Sequence, residues 1–370
     1  MPSDQKTRDI SPRPRPEILE IPSYAPGKSE IPGQAESIKL SSNESSFGPS
    51  PTAIEAYKTV ASSLHRYPDA SQQQLRQAIA EVYKLDTDKI ICGNGSDEIL
   101  DLIYRCYLRA GDEIILSTNH FVMCSLFAKI QGAEIILADE DNYVTNVDDL
   151  LKKVTSKTRM VTIANPNNPT GTYLNGDQIR QIHSGLPSEV LLIIDDAYAE
   201  YVTCEDYESG SRLVDEFENV ITTHTFSKIY GLSALRIGWA YCPISIFEIL
   251  QGIRSPFSTN SAAMAAATAA VRDQTYIHTI RKHTAEWLNR IEKEISALGI
   301  EVIPSAANFY LLNLKHCNGK SAKSAAKHLE RAGIITRSIV AGDGDDVLRI
   351  TVGLDSENEA VIDALADYMS

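Results

Sequence analysis

The sequence predicts a doubly wound α/β domain, built on a mainly parallel seven-stranded sheet, followed by a smaller α+β domain. Apolar runs rich in β-branched residues recur between residues 89 and 242, and most are continuous rather than alternating. Continuous runs are typical of strands buried on both faces of a parallel sheet. Amphipathic stretches separate them, which favours alternating strands and helices. The runs are 89–93, 112–118, 133–138, 159–164, 190–195, 220–225 and 237–242.

The pattern changes after about residue 258. A long helical segment precedes short strand-like runs and two further helical stretches, which indicates a separate α+β unit. The helical stretches are 276–298, 321–332 and 355–368, and the strand-like runs are 308–314, 334–338 and 347–352. We therefore expect an N-terminal arm at 1–39, a large domain at 40–258 and a small C-terminal domain at 259–370.

Composition restricts the class of protein. The chain has 370 residues, of which 43% are hydrophobic, so it can bury a large core. Its 35 basic and 49 acidic residues give a net charge of -14, which argues against a general nucleic-acid-binding surface. No apolar run approaches the roughly 20 residues that a bilayer requires, and the N-terminus lacks the apolar stretch of a signal peptide. We expect a cytoplasmic protein without membrane or nucleic-acid partners.

The cysteines are scattered along the chain. There are 6 of them, and no two form a C-x-x-C pair. At this density in a long chain they predict reduced thiols in a reducing compartment, and neither a disulfide framework nor a zinc site. We therefore expect no bound metal.

Ligands of open α/β sheets bind beyond the carboxyl ends of the strands, so the residues that end each run are the candidate site. The run at 89–93 leads into Gly93-Asn94-Gly95-Ser96-Asp97-Glu98. The N–H groups of a helix beginning here could hold a phosphate. An ordinary N-cap at Ser96, with Asp97 and Glu98 beside the positive end of the helix dipole, explains the same residues.

Two further runs end in polar residues. The run at 159–164 is followed by NPNNPTG at 165–171, where the prolines and glycine predict a rigid turn and the asparagines offer amide donors. The run at 190–195 ends in Asp195, which Asp196 follows. A carboxylate after buried apolar residues is costly unless it meets solvent, a cation or a protonated ligand nitrogen. A solvated loop start is the simpler alternative.

The run at 220–225 is followed by Ser227 and Lys228, with Arg236 close behind. Considered alone, a lysine is most simply a surface residue. Considered together, four strand ends supply a phosphate cradle, an amide, a carboxylate and an amine. This set matches what pyridoxal 5'-phosphate (PLP) requires from a protein.

These segments resemble the fold-type-I aminotransferases, and within them the histidinol-phosphate aminotransferases, from about residue 18 to the C-terminus. Several motifs are shared widely in fold type I, whereas those at 24–28 and 66–69 are typical of the histidinol-phosphate branch. The resemblance implies the PLP-dependent transferase fold of type I. The matching motifs are YAPGK at 24–28, LSSNE at 40–44, RYPD at 66–69, GSDE at 95–98, NPNNPTG at 165–171, DDAY at 195–198, SK at 227–228, GL at 231–232, LRIG at 235–238 and LRITVG at 348–353.

The resemblance implies a role for each strand-end residue. Lys228 would hold PLP as a Schiff base and then move the proton of the substrate Cα. Asp195 would keep the pyridine nitrogen protonated, while Tyr198 and Asn168 would hydrogen-bond the 3'-oxygen of the ring. The cofactor phosphate would be held by Ser227, Arg236 and the N–H groups of Ser96 and Asp97.

Two aromatic residues are also implied. The family stacks an aromatic ring on the cofactor, and Phe121 lies at this position. The segment 119–124 departs from the family's usual proline and tyrosine, so His120 is the alternative. Tyr67 resembles the tyrosine that reaches the cofactor phosphate of the neighbouring subunit, which implies a homodimer with shared active sites. Otherwise Tyr67 is a turn tyrosine before Pro68.

Substrate recognition is implied for Arg337 and Arg349, with Tyr24 from the arm. A structural salt bridge is the alternative for Arg349, because an unpaired guanidinium in an apolar strand is costly. Two arginines suit a doubly charged phosphate, whereas a carboxylate could be met by Arg349 alone. At Asp196 the family most often has glutamate, and we expect this difference to have little effect.

The expected reaction is transamination of L-histidinol phosphate with 2-oxoglutarate, giving imidazole-acetol phosphate and L-glutamate, in histidine biosynthesis. An aromatic amino-acid aminotransferase and a PLP-dependent amino-acid decarboxylase on the same fold remain alternatives. The presence of Lys228, Asp195 and Arg236 argues against a binding protein that has lost the chemistry. Glu98 stands where a dinucleotide-binding fingerprint needs its third glycine, which argues against a dehydrogenase.

Overall fold

The computed structural model describes residues 12, 14–19, 21, 27–33, 37–341, 344 and 346–370. The strands are β1 (Ile38–Lys39), β2 (Ile90–Gly93), β3 (Glu113–Ser117), β4 (Glu134–Ala138), β5 (Glu140–Asp141), β6 (Val144–Thr145), β7 (Thr158–Ala164), β8 (Leu191–Asp195), β9 (Val220–Thr225), β10 (Gly238–Tyr241), β11 (Glu301–Ile303), β12 (Phe309–Asn313), β13 (Ile334–Ile335), β14 (Arg337–Val340) and β15 (Asp346–Thr351).

The α-helices are α1 (Pro16–Leu19), α2 (Pro51–Thr59), α3 (Gln73–Tyr83), α4 (Ser96–Tyr107), α5 (Val122–Gln131), α6 (Val147–Lys152), α7 (Gly176–Gly185), α8 (Ser211–Glu216), α9 (Ile244–Ile253), α10 (Ser261–Arg272), α11 (Gln274–Ser296), α12 (Ala322–Arg331) and α13 (Asp355–Met369). Short 3-10 helices lie at Ala61–Ser63, Thr87–Lys89, Ala199–Tyr201 and Ser233–Leu235. Throughout the described ranges, none of these helices combines the length and the apolar character needed to cross a membrane.

The seven predicted runs form one sheet, in the order β2-β10-β9-β8-β7-β3-β4. Neighbouring strands pair in parallel except at β10, which is antiparallel to both β2 and β9. The prediction of a mainly parallel seven-stranded sheet is confirmed. The central strands β8 and β9 are buried along their whole length, which explains the apolar run Leu191–Ile194 of β8. The edge strand β4 is partly exposed.

Helices cover both faces of this sheet. Successive side chains of a strand point to opposite faces. In β8, Leu192 and Ile194 therefore belong to one apolar cluster, whereas Leu191 and Ile193 belong to another. The first cluster includes residues of α3, α7 and α10, and the second includes residues of α4, α5 and α9. The sheet lies between two helical layers, as the doubly wound prediction requires.

The C-terminal part contains a four-stranded antiparallel sheet in the order β11-β12-β15-β14. Helices α11, α12 and α13 contribute to its apolar core. The strand β11 was not predicted. The single strand predicted at 334–338 is wrong, because two strands occupy this segment. β13 pairs in parallel with β1 in a separate two-stranded sheet. After Thr336 the chain enters the four-stranded sheet, where β14 pairs with β15.

The two main cores divide later in the chain than residue 258. Alanines on one side of α10 and two isoleucines of the first half of α11, Ile277 and Ile280, belong to the core of the seven-stranded sheet. Trp287, Ile291 and Ile295, further along α11, belong to the core of the small sheet. We therefore propose that the small domain begins within α11.

Candidate active site

Two adjoining cavities open at the carboxyl ends of β7, β8 and β9. They share four lining residues: Phe121, Asn168, Tyr198 and Lys228. The inner cavity is also lined by predicted residues that end strands or begin α4, namely Ser96, Asp97, Asp195, Ser227 and Arg236. The outer cavity is also lined by the two predicted arginines, Arg337 and Arg349. The structure thus brings eleven of the thirteen predicted site residues to the cavity walls.

Lys228 lies three residues after β9, in a turn held by backbone hydrogen bonds. Gly231 N–H donates to the carbonyl oxygen of Lys228 at 2.9 Å, and Leu232 N–H donates to that of Phe226 at 3.0 Å. Gly231 has φ +67°, and a Cβ there would lie 2.3 Å from the carbonyl oxygen of Gly48. This turn directs Lys228 to the junction of the two cavities, with Nζ 5.6 Å from the centroid of the Tyr198 ring.

The start of α4 forms an anion cradle with Arg236. The N-cap is Gly95, and Ser96 is the first helical residue rather than the cap that the sequence suggested as an alternative. The first N–H groups of a helix have no acceptor within that helix, so those of Ser96 and Asp97 can hold an anion. Arg236 donates to Ser227 Oγ at 3.2 Å and to Asp97 Oδ2 at 3.2 Å. Together, these donors suit a phosphate group.

The cradle requires glycine at two positions. Gly95 has φ +86°, and a Cβ there would lie 2.6 Å from Nη2 of Arg236. A Cβ at Gly238, the first residue of β10, would lie 2.4 Å from the backbone nitrogen of Ser96. The loop after β2 and the chain entering β10 approach each other this closely because neither residue has a side chain.

Asp195 ends β8 at the wall of the inner cavity and is 5% exposed. Its Oδ1 accepts a hydrogen bond from Thr223 Oγ1 at 2.9 Å. Burial raises the pKa of Asp195 to about 6, against the effect of the Thr223 hydrogen bond; the charges of Asp97 and Asp196 raise it further. A cation in the inner cavity would stabilise the ionised carboxylate.

Asp196 is completely buried and belongs to the scaffold. Its carboxylate accepts hydrogen bonds from Tyr207 O–H at 3.1 Å, from Ser209 O–H at 2.7 Å and from Gly210 N–H at 3.0 Å. Removing a buried acceptor leaves its donors unsatisfied, which costs about 1–3 kcal/mol for each group. This role was not predicted from the sequence, where only the neighbouring Asp195 was assigned a function.

Asn43 is a site residue to which the sequence analysis gave no role. Its Nδ2 donates to Tyr198 Oη at 2.9 Å, and its backbone N–H donates to Thr351 Oγ1 at 3.0 Å. Asn43 is buried, with φ +54°, and it lines the outer cavity. It therefore connects β15 of the small sheet to the phenol of Tyr198. Its place in the LSSNE motif was the available signal, but the motif names no partner.

The two arginines lie on neighbouring strands of the small sheet. Arg337 in β14 pairs directly with Arg349 in β15, so their side chains share one face. Arg349 is 7% exposed, donates to Asn168 Oδ1 at 2.7 Å and to the carbonyl oxygen of Ser41 at 3.2 Å, and lies over the ring of Phe309 at 5.3 Å. This wall combines two positive charges with the amide that also faces Lys228.

Phe121 lies directly before α5 and lines both cavities, whereas His120 lines only the outer one. His120 Nδ1 donates to the carbonyl oxygen of Ser117 at 2.8 Å, and its Nε2 contacts the hydroxyl of Ser125. Burial lowers the pKa of His120. Both ring nitrogens of His120 thus have partners, and Phe121, unlike His120, lines the inner cavity.

Tyr67 lines neither cavity. It is 83% exposed and stacks on Phe257, with ring centroids 4.7 Å apart. Its side chain is therefore accessible from solvent. The remaining predicted residue, Tyr24, lies outside the described residues.

Comparison with known proteins identifies the family. Residues 35–365 match the family model described as aminotransferase class I and II. The chain belongs to this aminotransferase family. It is 44% identical over 360 residues to the histidinol-phosphate aminotransferase of Nitrobacter hamburgensis, covering 97% of this chain and 99% of that protein. The protein of the same name from Rhodopseudomonas palustris has 44% identity with the same coverage of both chains.

A solved structure also resembles this aminotransferase over its whole length. The histidinol-phosphate aminotransferase of Sinorhizobium meliloti, in complex with PLP, has a TM-score of 0.88 and 26% identity, and the match covers 98% of each chain. The predicted fold type and the assignment to an aminotransferase are therefore confirmed.

The glycine at the start of β10 provides a test of the anion cradle. Gly238→Ala forces the Ser96 backbone to move, so we expect the affinity for PLP and for inorganic phosphate to fall about 10- to 100-fold, the effect of losing one hydrogen bond to a charged group. Calorimetry measures both affinities. Gly252→Ala is the control, because a Cβ at Gly252 meets nothing within 4 Å. Unchanged affinities in folded Gly238→Ala would show that phosphate binds elsewhere.

Proposed function

We propose that this aminotransferase uses PLP to transfer the amino group of L-histidinol phosphate to 2-oxoglutarate, giving imidazole-acetol phosphate and L-glutamate in histidine biosynthesis. The observation that carries the proposal is the position of Lys228, between an anion cradle on one side and two paired arginines on the other. The 44% identity to histidinol-phosphate aminotransferases over nearly the whole chain supports this substrate. A cytoplasmic location remains part of the proposal.

The inner cavity fits PLP on three sides. The cradle at Ser96 and Arg236 suits its phosphate, and a side chain at Gly95 or Gly238 would displace one of these two donors. The buried carboxylate of Asp195 suits its ring nitrogen, and the ring of Phe121 suits its face. When bound, PLP supplies an aldehyde for an amine and a ring that accepts the electron pair left by a broken bond at the substrate Cα.

The chain's own residues then perform three tasks. Asp195 keeps the cofactor nitrogen protonated, because its buried charge favours a cation beside it. Asn168 and Tyr198 line both cavities, where they would orient the ring through its 3'-oxygen. Lys228 Nζ, once freed by the substrate amine, would take the proton from the substrate Cα and deliver it to C4' of the cofactor, and in the second half-reaction it would move the proton in the opposite direction.

Arg337 and Arg349 provide the substrate specificity. A phosphate monoester carries close to two negative charges at neutral pH, and guanidinium groups match its oxygens in a bidentate geometry. Arg349 is fixed by Asn168 and Ser41, so it can hold one anionic group close to Lys228. Arg337, on the neighbouring strand, adds the second charge, which an amino acid without a phosphate does not require.

We also propose that the enzyme is a homodimer with shared active sites. Tyr67 is exposed and lines neither cavity of its own chain, as expected of a residue that contacts the cofactor phosphate of a neighbouring subunit. Tyr24 of the arm is proposed to contact the substrate.

Replacing the proposed base tests the cofactor and its chemistry together. The purified protein should be yellow, and Lys228→Ala should lose the visible absorbance of the linked cofactor and lower kcat by about 10²- to 10⁴-fold, the usual contribution of a general base. Absorbance spectra and a glutamate-release assay measure the two effects. Lys152→Ala, an exposed lysine of α6, should behave as wild type. A colourless wild type that ignores added PLP would contradict the proposal.

Arg337→Gln separates the proposed substrate from aromatic amino acids. We expect kcat/KM for histidinol phosphate to fall about 10- to 100-fold, because a hydrogen bond to a charged group is lost. The value for phenylalanine should change less than about threefold, since phenylalanine has no phosphate. Arg331→Gln, at the exposed end of α12, controls for lost surface charge. Equal losses for both substrates would place the phosphate site away from Arg337. Release of carbon dioxide from an amino acid in the absence of 2-oxoglutarate would instead indicate the decarboxylase.

Mixing two inactive variants tests the shared site. Tyr67→Ala and Lys228→Ala should each have low activity as homodimers. In a mixed dimer, one site carries both changes and the other carries neither, so activity should rise well above that of either variant. Assays after co-refolding of the two chains measure this recovery. No recovery would mean that Tyr67 acts within its own chain or not at all.

A further inference from the structure

One buried histidine has no part in the proposed reaction. His224 is the fifth residue of β9 and is 1% exposed. Its ring stacks on Trp239 of β10, with centroids 4.0 Å apart and planes inclined by 5°. Because neighbouring side chains of a strand point to opposite faces, Thr223 contacts Asp195 while His224 faces the other side of the sheet. The histidine is therefore one residue from a direct contact of Asp195.

Two buried carboxylates lie on either side of this ring. Nε2 of His224 is 3.7 Å from Oδ2 of Asp196, and Nδ1 is 3.6 Å from Oε1 of Glu200. Ser211 Oγ is 3.3 Å from Nε2. An imidazolium carries a proton on both nitrogens, so it suits a position between two carboxylates. A neutral imidazole would direct one lone pair toward a negatively charged oxygen.

The groups around His224 favour its charged form. Tyr83 of α3 lies 5.8 Å from the ring and donates to Oε1 of Glu200 at 2.6 Å, so it stabilises that carboxylate. Burial by itself lowers the pKa of His224, but Glu200, Asp196 and Asp195 outweigh it and raise the pKa above its usual value.

Three further groups contact the neighbours of His224 rather than its ring. Tyr230 shares a 2.6 Å hydrogen bond with Tyr83, and Tyr207 donates to Asp196. Arg281 donates to the backbone carbonyl oxygen of Glu200 rather than to its carboxylate. His224 is thus the basic side chain placed directly between the carboxylates of Asp196 and Glu200.

We propose that His224 is a positioning residue for the cofactor-binding aspartate: its imidazolium offsets the charges of Asp196 and Glu200, so that Asp195 keeps its negative charge for a protonated ring nitrogen. Without this positive charge, three carboxylates would share one buried region, and Asp195 would take up a proton more readily. The inference rests on the proposed function, which places the ring nitrogen beside Asp195.

Pyridoxine 5'-phosphate is the probe for the test, because it has the ring and the phosphate of PLP but no aldehyde to react with Lys228. Its affinity for the full-length, cofactor-free chain is measured by calorimetry between about pH 5.5 and 9. We expect His224→Gln to bind at least about fivefold more weakly near neutral pH, and the acidic limb of its affinity profile to move to higher pH, as Asp195 becomes easier to protonate.

Three variants make the result decisive. His183→Gln is the matched control. His183 lies in α7 and stacks on Phe217, so this variant should keep the wild-type profile. Asp195→Asn is the reference: if it binds the probe as wild type does, the assignment of Asp195 in the proposed function fails. If Asp195→Asn binds weakly while His224→Gln keeps the wild-type profile, only the role of His224 is overturned. Weaker binding by His224→Gln with an unmoved acidic limb also overturns it, because a purely structural role predicts that result.

Glu200→Gln keeps the test available if His224→Gln does not fold. Glutamine retains an acceptor for Tyr83 but removes one of the charges that hold the proton on His224. The pKa of His224, followed by nitrogen-15 NMR of its ring, should then be lower than in the wild type, because Glu200 raises it. An unchanged titration of His224 in Glu200→Gln, or a neutral His224 ring near pH 7 in the wild type, would overturn the proposal.

Discussion

Negative charge buried at the carboxyl end of β8 is the constraint on which the site depends. Asp195 and Asp196 are adjacent in the chain, and burial raises the pKa of each to about 6. The fold compensates the charges of these two carboxylates differently. Asp196 is enclosed by hydrogen-bond donors and lies beside His224, whereas Asp195 has one donor, Thr223, and an open cavity before it. Because the charge of Asp195 is only partly compensated, the cavity suits a cationic ring.

The order and direction of the strands explain why the other groups meet this carboxylate. Parallel neighbours lie about 4.8 Å apart, so the ends of β7, β8 and β9 deliver Asn168, Asp195 and Lys228 to one edge. The antiparallel strand β10 begins at this same edge, which brings Arg236 beside the start of α4. One reversed strand thus supplies the guanidinium that completes the anion cradle, and Gly238 leaves the room for it.

The small sheet adds the two arginines that line the outer cavity. Arg349 contacts Asn168, and Thr351 on the same strand contacts Asn43, which in turn donates to Tyr198. Two hydrogen-bonded connections therefore link β15 to side chains beside Lys228. A shift of this strand would therefore move both Arg349 and the phenol of Tyr198.

The sequence by itself determined the seven strands, the helices that cover them and the residues at the strand ends, because these features follow from local periodicity and short motifs. Periodicity reports that a side chain is buried, but it does not name the partner. The division of 334–338 between two sheets, the two cores along α11 and the contact of Asn43 with Tyr198, 155 positions away, were decided only by the tertiary structure. The same holds for His224. Its position in a strand predicts that it is buried, but only the tertiary structure places it between the carboxylates of Asp196 and Glu200 and against Trp239.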